Sequence, residues 1–239
     1  MKNIYNEVNM LIYSKNVVLE ALKAHRKIHK IMIEFRFSDK TIMQYIEQSN
    51  ITLEKVDKGH LNNISNHAVH QGIVAEVEPY SYTKLDDVIH IENGKFLILD
   101  SIEDPHNLGA IIRTSDAMGI TAIIMSQKQQ VPLTSTVAKV STGAIEYVPI
   151  VIVPQLFKGI TQMKEAGIKI LGTDMVNAKH YESVSYEGRV GLILGNEGRG
   201  IRTSIKPLVD DMIMIPMKGH VQSLNVSVAA ALLMNALTK

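Results

Sequence analysis

No cysteine occurs in the 239 residues, which excludes disulfides, thiolate metal sites and cysteine nucleophiles. A thiol-free chain is compatible with a reducing cytosol, and a cytoplasmic location is the expectation. Tryptophan is also absent and aromatic residues make up 5% of the chain, so a nucleic-acid platform of many stacked rings is excluded. No apolar run reaches the roughly 18 residues of a membrane-spanning helix. Asn6, Glu7 and Asn9 interrupt the N-terminal MKNIYNEVNMLIY where a signal peptide would be apolar. Neither sign of charge dominates: 25 Lys and Arg face 24 Asp and Glu, a formal net charge of +1. That excludes a basic footprint spread over the whole chain, but not a local one. The nine histidines form no HExxH, and the spacing of His67 and His70 in HAVHQG gives no metal set, so no metal is expected. What is present, 46% hydrophobic and 21% charged residues, is the composition of a globular protein.

Two regions differ in pattern. In residues 1–78 helix and strand signals alternate. Val17, Val18, Leu19, Ala21 and Leu22 form a helix-like apolar cluster, and Ile28, Ile31, Ile33 and Phe35 read as a half-buried strand. A helix is expected over Lys40–Gln48, and strands over Ile51–Val56 and Gly72–Val77. The densest basic stretch of the chain, KAHRKIHK, lies here and gathers Lys23, His25, Arg26, Lys27, His29 and Lys30. It is read as a candidate RNA-binding face, with a solvated helix end as the plain alternative. Residues 79–94 read as a linker. From residue 95 the pattern is regular. Apolar runs at Phe96–Leu99, Thr121–Met125, Val148–Val153, Ile168–Gly172, Val190–Leu194 and Met212–Ile215 predict strands buried on both faces, as in a covered parallel sheet. Helices are expected between them at Leu108–Met118, Thr134–Val140, Gln155–Ala166 and Ile201–Leu208, and a last, nearly all-apolar one at Leu224–Leu237. The fold class is α/β, a small α/β unit ahead of a parallel-sheet domain at 95–239.

Three loops at strand ends carry the candidate chemistry, where open α/β sheets place their ligands. The first, DSIEDPHNLG, leads through Asn107 to Arg113. Asn107 reads structurally as a helix N-cap. Arg113 follows two isoleucines at the edge of a buried sheet and calls for a partner: Glu197 inside the chain, or an anion outside it. The second loop, LGNEGRG, has Gly195, Gly198 and Gly200, which let backbone approach a ligand. Its GxxGxG order is neither the dinucleotide GxGxxG nor a phosphate-binding GxxxxGK[ST], which argues against NAD or ATP. The third, IPMKGHVQSLNVS, brings Ser223, Leu224 and Asn225 to the start of the last helix, where capping is the plain reading.

These loops resemble the three motifs of the SpoU (TrmH-like) branch of the SPOUT RNA methyltransferases. LDSIEDPHNLGAIIRTSDAMG is similar to the first motif, with Asn107 and Arg113 in place. LILGNEGRGI is similar to the second, with Gly195, Glu197 and Gly200, and IPMKGHVQSLNVSVAAAL to the third, with Ser223, Leu224 and Asn225. The first region resembles the substrate-binding domain often fused ahead of such enzymes, except that IYSKNVVLEAL has Ser14 where those domains usually carry glycine. The whole is most similar to the group that methylates a guanosine ribose in bacterial 23S ribosomal RNA. The resemblance implies a trefoil-knotted parallel-sheet domain, a homodimer, and S-adenosylmethionine as cofactor, bound through Thr173, Gly195, Ile215 and Leu224. It implies methyl transfer to a ribose 2′-hydroxyl with Asn107, Arg113, Glu197, Ser223 and Asn225 as the catalytic set. Transfer RNA as the substrate, or a non-catalytic RNA-binding relative, is the alternative.

Overall fold

The computed structural model describes residues 9–175, 178–196 and 198–239. In chain order the elements begin with strand β1 (Met10–Tyr13), helix α1 (Lys15–Lys23), β2 (Ile28–Glu34), α2 (Lys40–Glu47), β3 (Thr52–Val56), α3 (Lys58–Ile64) and β4 (Ile73–Val77). There follow β5 (Lys95–Leu99), α4 (Pro105–Ala117), β6 (Ala122–Ser126), α5 (Ser135–Val140), β7 (Ile150–Val153), α6 (Leu156–Glu165) and β8 (Lys169–Thr173). The chain closes with β9 (Lys179–His180), β10 (Val190–Leu194), β11 (Asp211–Met214) and α7 (Val226–Leu237). They divide into two compact units, one of residues up to 81 with 133–147, the other of 82–132 with 148–239. The segment 133–147 thus packs with the first unit, although its pattern continues that of the second.

The first unit is a four-stranded sheet in the order β1-β4-β2-β3, with β4 antiparallel to β1 and β2, and β2 parallel to β3. The C-terminal ends of β1, β2 and β3 therefore share one end of the sheet with the start of β4. Asp39 caps α2 by accepting from the Ile42 amide, and Asp57 caps α3 through the His60 amide. Neither β1 nor α3 is apparent in the hydrophobic periodicity, because β1 is four residues and α3 seven. His70 is buried, and both ring nitrogens are used: Nδ1 accepts from the Gly72 amide at 3.0 Å, and Nε2 lies 2.9 Å from Asn62 Oδ1. Burial holds its pKa below the ordinary histidine value.

The second unit is a seven-stranded sheet in the order β7-β6-β5-β10-β8-β11-β9, parallel at every pairing. Every residue of β6 and β10 is buried, as their unbroken apolar runs require. Part of the expected linker belongs to this unit, since Leu85, Val88 and Ile89 pack into its core beside Phe96 and Ile98. The helix expected over Ile201–Leu208 is not formed; the segment is a set of turns with one 3₁₀ turn at Lys206–Leu208. Pro207 has no amide hydrogen to donate and disfavours helical backbone at Lys206. The isoleucines that suggested a helix, Ile201 and Ile205, are core residues held by irregular backbone. Helix α4 starts three residues before the expected Leu108, with Asp104 as its cap and Pro105 as its first residue.

Candidate functional site

Strands β8, β10 and β11 are neighbours, and the loops leaving their C-terminal ends enclose a cavity of about 330 Å³. Thr173 ends β8, Gly195 follows β10, Ile215 follows β11, and Ser223 and Leu224 precede α7; all five line this cavity. The four residues expected to hold a cofactor are therefore brought together, with Ser223 beside them. Leu194, Ile201, Ile213, Val226, Ala229 and Leu233 supply apolar wall. The volume lies at the small end of the range for small-molecule pockets.

The glycine-rich loop is shaped by close backbone approach. A Cβ on Gly195 would sit 2.6 Å from Gly200 O and nearer still to Gly200 C and Ile201 N, so no side chain fits. The Asn196 side chain folds the turn. Its Oδ1 accepts from the amides of Gly198 (3.0 Å) and Arg199 (3.3 Å), and its Nδ2 donates to Ser101 O (3.0 Å). The loop's far end is tied to the first strand-end loop through Asp100, which follows β5. This fully buried carboxylate accepts from the Arg202 backbone amide at 2.9 Å and from Arg202 Nε at 2.6 Å. Asp100 opens the first candidate loop, DSIEDPHNLG, without an expected role; its position directly after the apolar run FLIL is the signal of its burial. Asp174 and Lys206, also unanticipated, line the cavity and form an ion pair at 2.6 Å.

Asn107 is not the N-cap of α4. It lies inside the first turn, is buried, and its Oδ1 accepts a 3.0 Å hydrogen bond from Asn225 Nδ2. Asn225 is the N-cap of α7, its Oδ1 accepting from the Ser227 amide (2.9 Å) and hydroxyl (2.6 Å). The first and third loops are thus joined asparagine to asparagine. Arg113 departs from expectation. It is exposed, it does not line the cavity, and it has no ion pair among the described residues. Six residues from Asn107 on a 3.6-residue helix, it turns to a different face and pays no burial penalty. Glu197, its expected partner, lies outside the described residues.

In the basic stretch KAHRKIHK, Arg26 is drawn inward while Lys23, His25, Lys27 and His29 are exposed. Arg26 Nη1 donates to both carboxylate oxygens of Glu146, at 3.0 and 3.1 Å, with the two side chains 8% and 5% exposed. Its guanidinium carbon lies 3.4 Å from the Tyr80 ring centroid, and the Tyr80 hydroxyl donates to Glu146. Burial, with the adjacent carboxylate, pushes the Tyr80 hydroxyl far above its ordinary pKa. Lys27 pairs with Glu78 and Lys30 with Glu54. Arg26 is thus a structural cation of the first unit, whereas Lys27 and Lys30 are surface residues whose charges are met by neighbouring carboxylates.

Residues 94–235 match the family model described as the SpoU rRNA Methylase family, and residues 11–83 the model described as RNA 2′-O ribose methyltransferase substrate binding. YacO of Bacillus subtilis, which carries a TrmH family tRNA/rRNA methyltransferase description, is 40% identical over 231 residues, 93% of this chain and 92% of its own. A Staphylococcus haemolyticus protein with the same family description is 38% identical over 234 residues, 95% of this chain and 94% of its own. The crystal structure of the SpoU methyltransferase AviRb from Streptomyces viridochromogenes with AdoMet has the same fold. Its TM-score is 0.86 at 21% identity, covering 99% of this chain and 93% of that one.

Proposed function

The chain belongs to the SpoU rRNA methylase family, an RNA methyltransferase family, and from that premise we propose that it transfers a methyl group from S-adenosylmethionine to a ribose 2′-hydroxyl, that of a guanosine in 23S ribosomal RNA. The observation that carries the reading is the single cavity on which Thr173, Gly195, Ile215, Ser223 and Leu224 converge, beside the Asn107–Asn225 pair. The cavity suits the cofactor's two halves: apolar walls for an aromatic base, and backbone and hydroxyl groups around Gly195, Thr173 and Ser223 for its polar part. The bound cofactor supplies an already activated sulfonium methyl. The chain's part is alignment and proton handling. Gly195 and Ser223 would meet the cofactor in the cavity, and the Asn107–Asn225 pair would supply polar groups next to it. Arg113, exposed and unpaired among the described residues, is available to ribose and phosphate. A guanidinium keeps its proton in proteins, so its role is orientation and charge stabilisation rather than base catalysis. The resemblance also carries a trefoil path for the C-terminal segment.

Calorimetric titration with S-adenosylmethionine, NADH and ATP tests the ligand: saturable binding of the methyl donor alone is expected, and binding of NADH without it would overturn the reading. Mapping 2′-O-methylation in ribosomal and transfer RNA from a deletion strain then tests the substrate. A lost methyl in 23S RNA is expected; a loss confined to transfer RNA moves the assignment there. Because Arg113 is exposed, Arg113→Ala is expected to leave folding and cofactor affinity intact while single-turnover methylation at saturating RNA falls about a hundredfold, the scale of one charge-stabilising group. Arg113→Lys should restore little, since an ammonium lacks the planar fork. Near-normal turnover in Arg113→Ala would remove the residue from the mechanism.

A further inference from the structure

The first unit has two ends, and its charges are distributed differently between them. At the end holding the start of β2 and the finish of β4, the cations are paired with Glu78, Glu146 and Glu54. At the other end β1, β2 and β3 finish, and the chain carries Lys15, Arg36, Lys40 and Lys58. Lys15 pairs with Asp39 at 3.3 Å, but Arg36, Lys40 and Lys58 have no ion pair among the described residues. Of the carboxylates there, Asp39 is taken by Lys15 and the α2 cap, and Asp57 by the α3 cap. With Glu34 counted as well, four cations face three carboxylates, so the end is net positive by one.

The same end displays a largely exposed aromatic ring. The Phe37 amide donates to Glu34 O at 2.9 Å, closing a turn whose two corners are Phe35 and Arg36. Glycine, asparagine and proline are the residues that favour such corners; phenylalanine and arginine bring no conformational advantage there. Phe37 faces inward, against Gly72 and under the Lys15 ammonium (5.3 Å to the ring centroid), while Phe35 is 66% exposed. These are two of the chain's four phenylalanines. The loop 66–72 lies against the turn, since Glu34 N donates to Gly72 O at 2.9 Å, and it adds Val69, 71% exposed. Ser14, Asn66, His67 and Gln71, which shape this end, all have positive φ, the kind of fixed, costly backbone found at ligand sites.

We propose that this end of the first unit grips unpaired RNA, with Phe35 stacking on a base and Arg36, Lys40 and Lys58 contacting the flanking phosphates. An exposed ring among unneutralised cations is the combination that single-stranded nucleic acid selects: the ring takes a base face of any sequence, and the cations take the backbone. The inference rests on the RNA methyltransferase reading and names where the first unit takes its substrate.

The chain has no tryptophan, so Phe35→Trp in the full-length protein places one reporter at the turn. Its emission is expected to be quenched on titration with a mixed-sequence single-stranded RNA of about a dozen nucleotides and with deproteinised ribosomal RNA; unchanged emission with both overturns the proposal. Phe35→Ala is expected to weaken binding of both RNAs by about tenfold, as loss of one base–aromatic stack does. Arg36→Ala is expected to lower the salt dependence by about one ion. Both positions are exposed, so melting should match the parent. Lys27→Ala, in a paired cation at the opposite end, should leave RNA affinity unchanged. If the parent chain binds and methylates RNA while Phe35→Ala binds it equally well, this inference fails and the enzyme reading stands. If Phe35→Ala instead abolishes association with a ribosomal protein and spares RNA, the turn is a protein-docking site and the proposal is wrong. If the parent binds neither RNA nor the methyl donor, the enzyme reading itself fails.

Discussion

At the scale of the residue, Ser14 shows how a departure from a family pattern appears as backbone geometry. It has φ 87° and ψ 150°, a region open in practice only to glycine, and it is buried. Its place is fixed by the backbone: its own amide reaches Ile73 O, and the Val18 amide returns to Ser14 O to begin α1. A serine held there costs about 1–3 kcal/mol, and glycine would remove that while adding about 0.5–1 kcal/mol of chain entropy to overcome. Ser14→Gly is therefore expected to stabilise the first unit by about 1 kcal/mol, read as a higher urea midpoint at unchanged slope. Ser14→Ala keeps the Cβ and should gain nothing. A midpoint for Ser14→Gly at or below the parent's would show that the serine geometry is unstrained.

At the scale of the element, the strands of the second unit except the two-residue β9, the glycine-rich loop and the bounds of α2, α5 and α6 were legible, whereas the start of α4 and the segment 201–208 were not. Apolar runs such as VGLIL can only be buried on both faces, so the parallel sheet follows from them directly. Helix phase is less forgiving. The residues DPHN hold two plausible caps three apart, and choosing Asn107 over Asp104 changes which side chains point inward. Apolar spacing at Ile201 and Ile205 imitates a helix that Pro207 prevents. In the glycine loop the sequence offers three glycines without ranking them, and the structure ranks them. A Cβ at Gly195 meets the backbone of Gly200 and Ile201, whereas at Gly198 it meets only Asn196 Oδ1 at 3.7 Å. Gly195→Ala should push the two strands of the loop apart at the cavity wall and weaken methyl-donor binding by at least about tenfold, or 1.4 kcal/mol, in calorimetry. Gly198→Ala should bind like the parent. Equal affinities for the two variants would mean that the loop has slack at Gly195.

At the scale of the whole molecule, charge in the sequence proved a poor guide to charge on the surface, because pairing is long-range. The partners of Arg26 and Lys27, Glu146 and Glu78, lie 120 and 51 residues away. Apolar surface is the better guide to association. Helix α7 buries Ala230, Leu233, Met234 and Leu237, yet leaves Val228 48% and Leu232 41% exposed one turn apart on the opposite side, with Val221 63% exposed in the loop before it. The all-apolar sequence of this helix thus has two destinations, one inside its own unit and one still open. A second copy of the chain meeting it isologously would bury both faces, as closed symmetric dimers do. Light scattering at micromolar concentration is expected to report twice the 26.5 kDa chain mass. Val228→Asp combined with Leu232→Asp removes no core contact, so the variant should keep its circular dichroism and elute as a monomer. A monomeric parent at that concentration rules the dimer out, and a variant that stays dimeric places the interface away from α7.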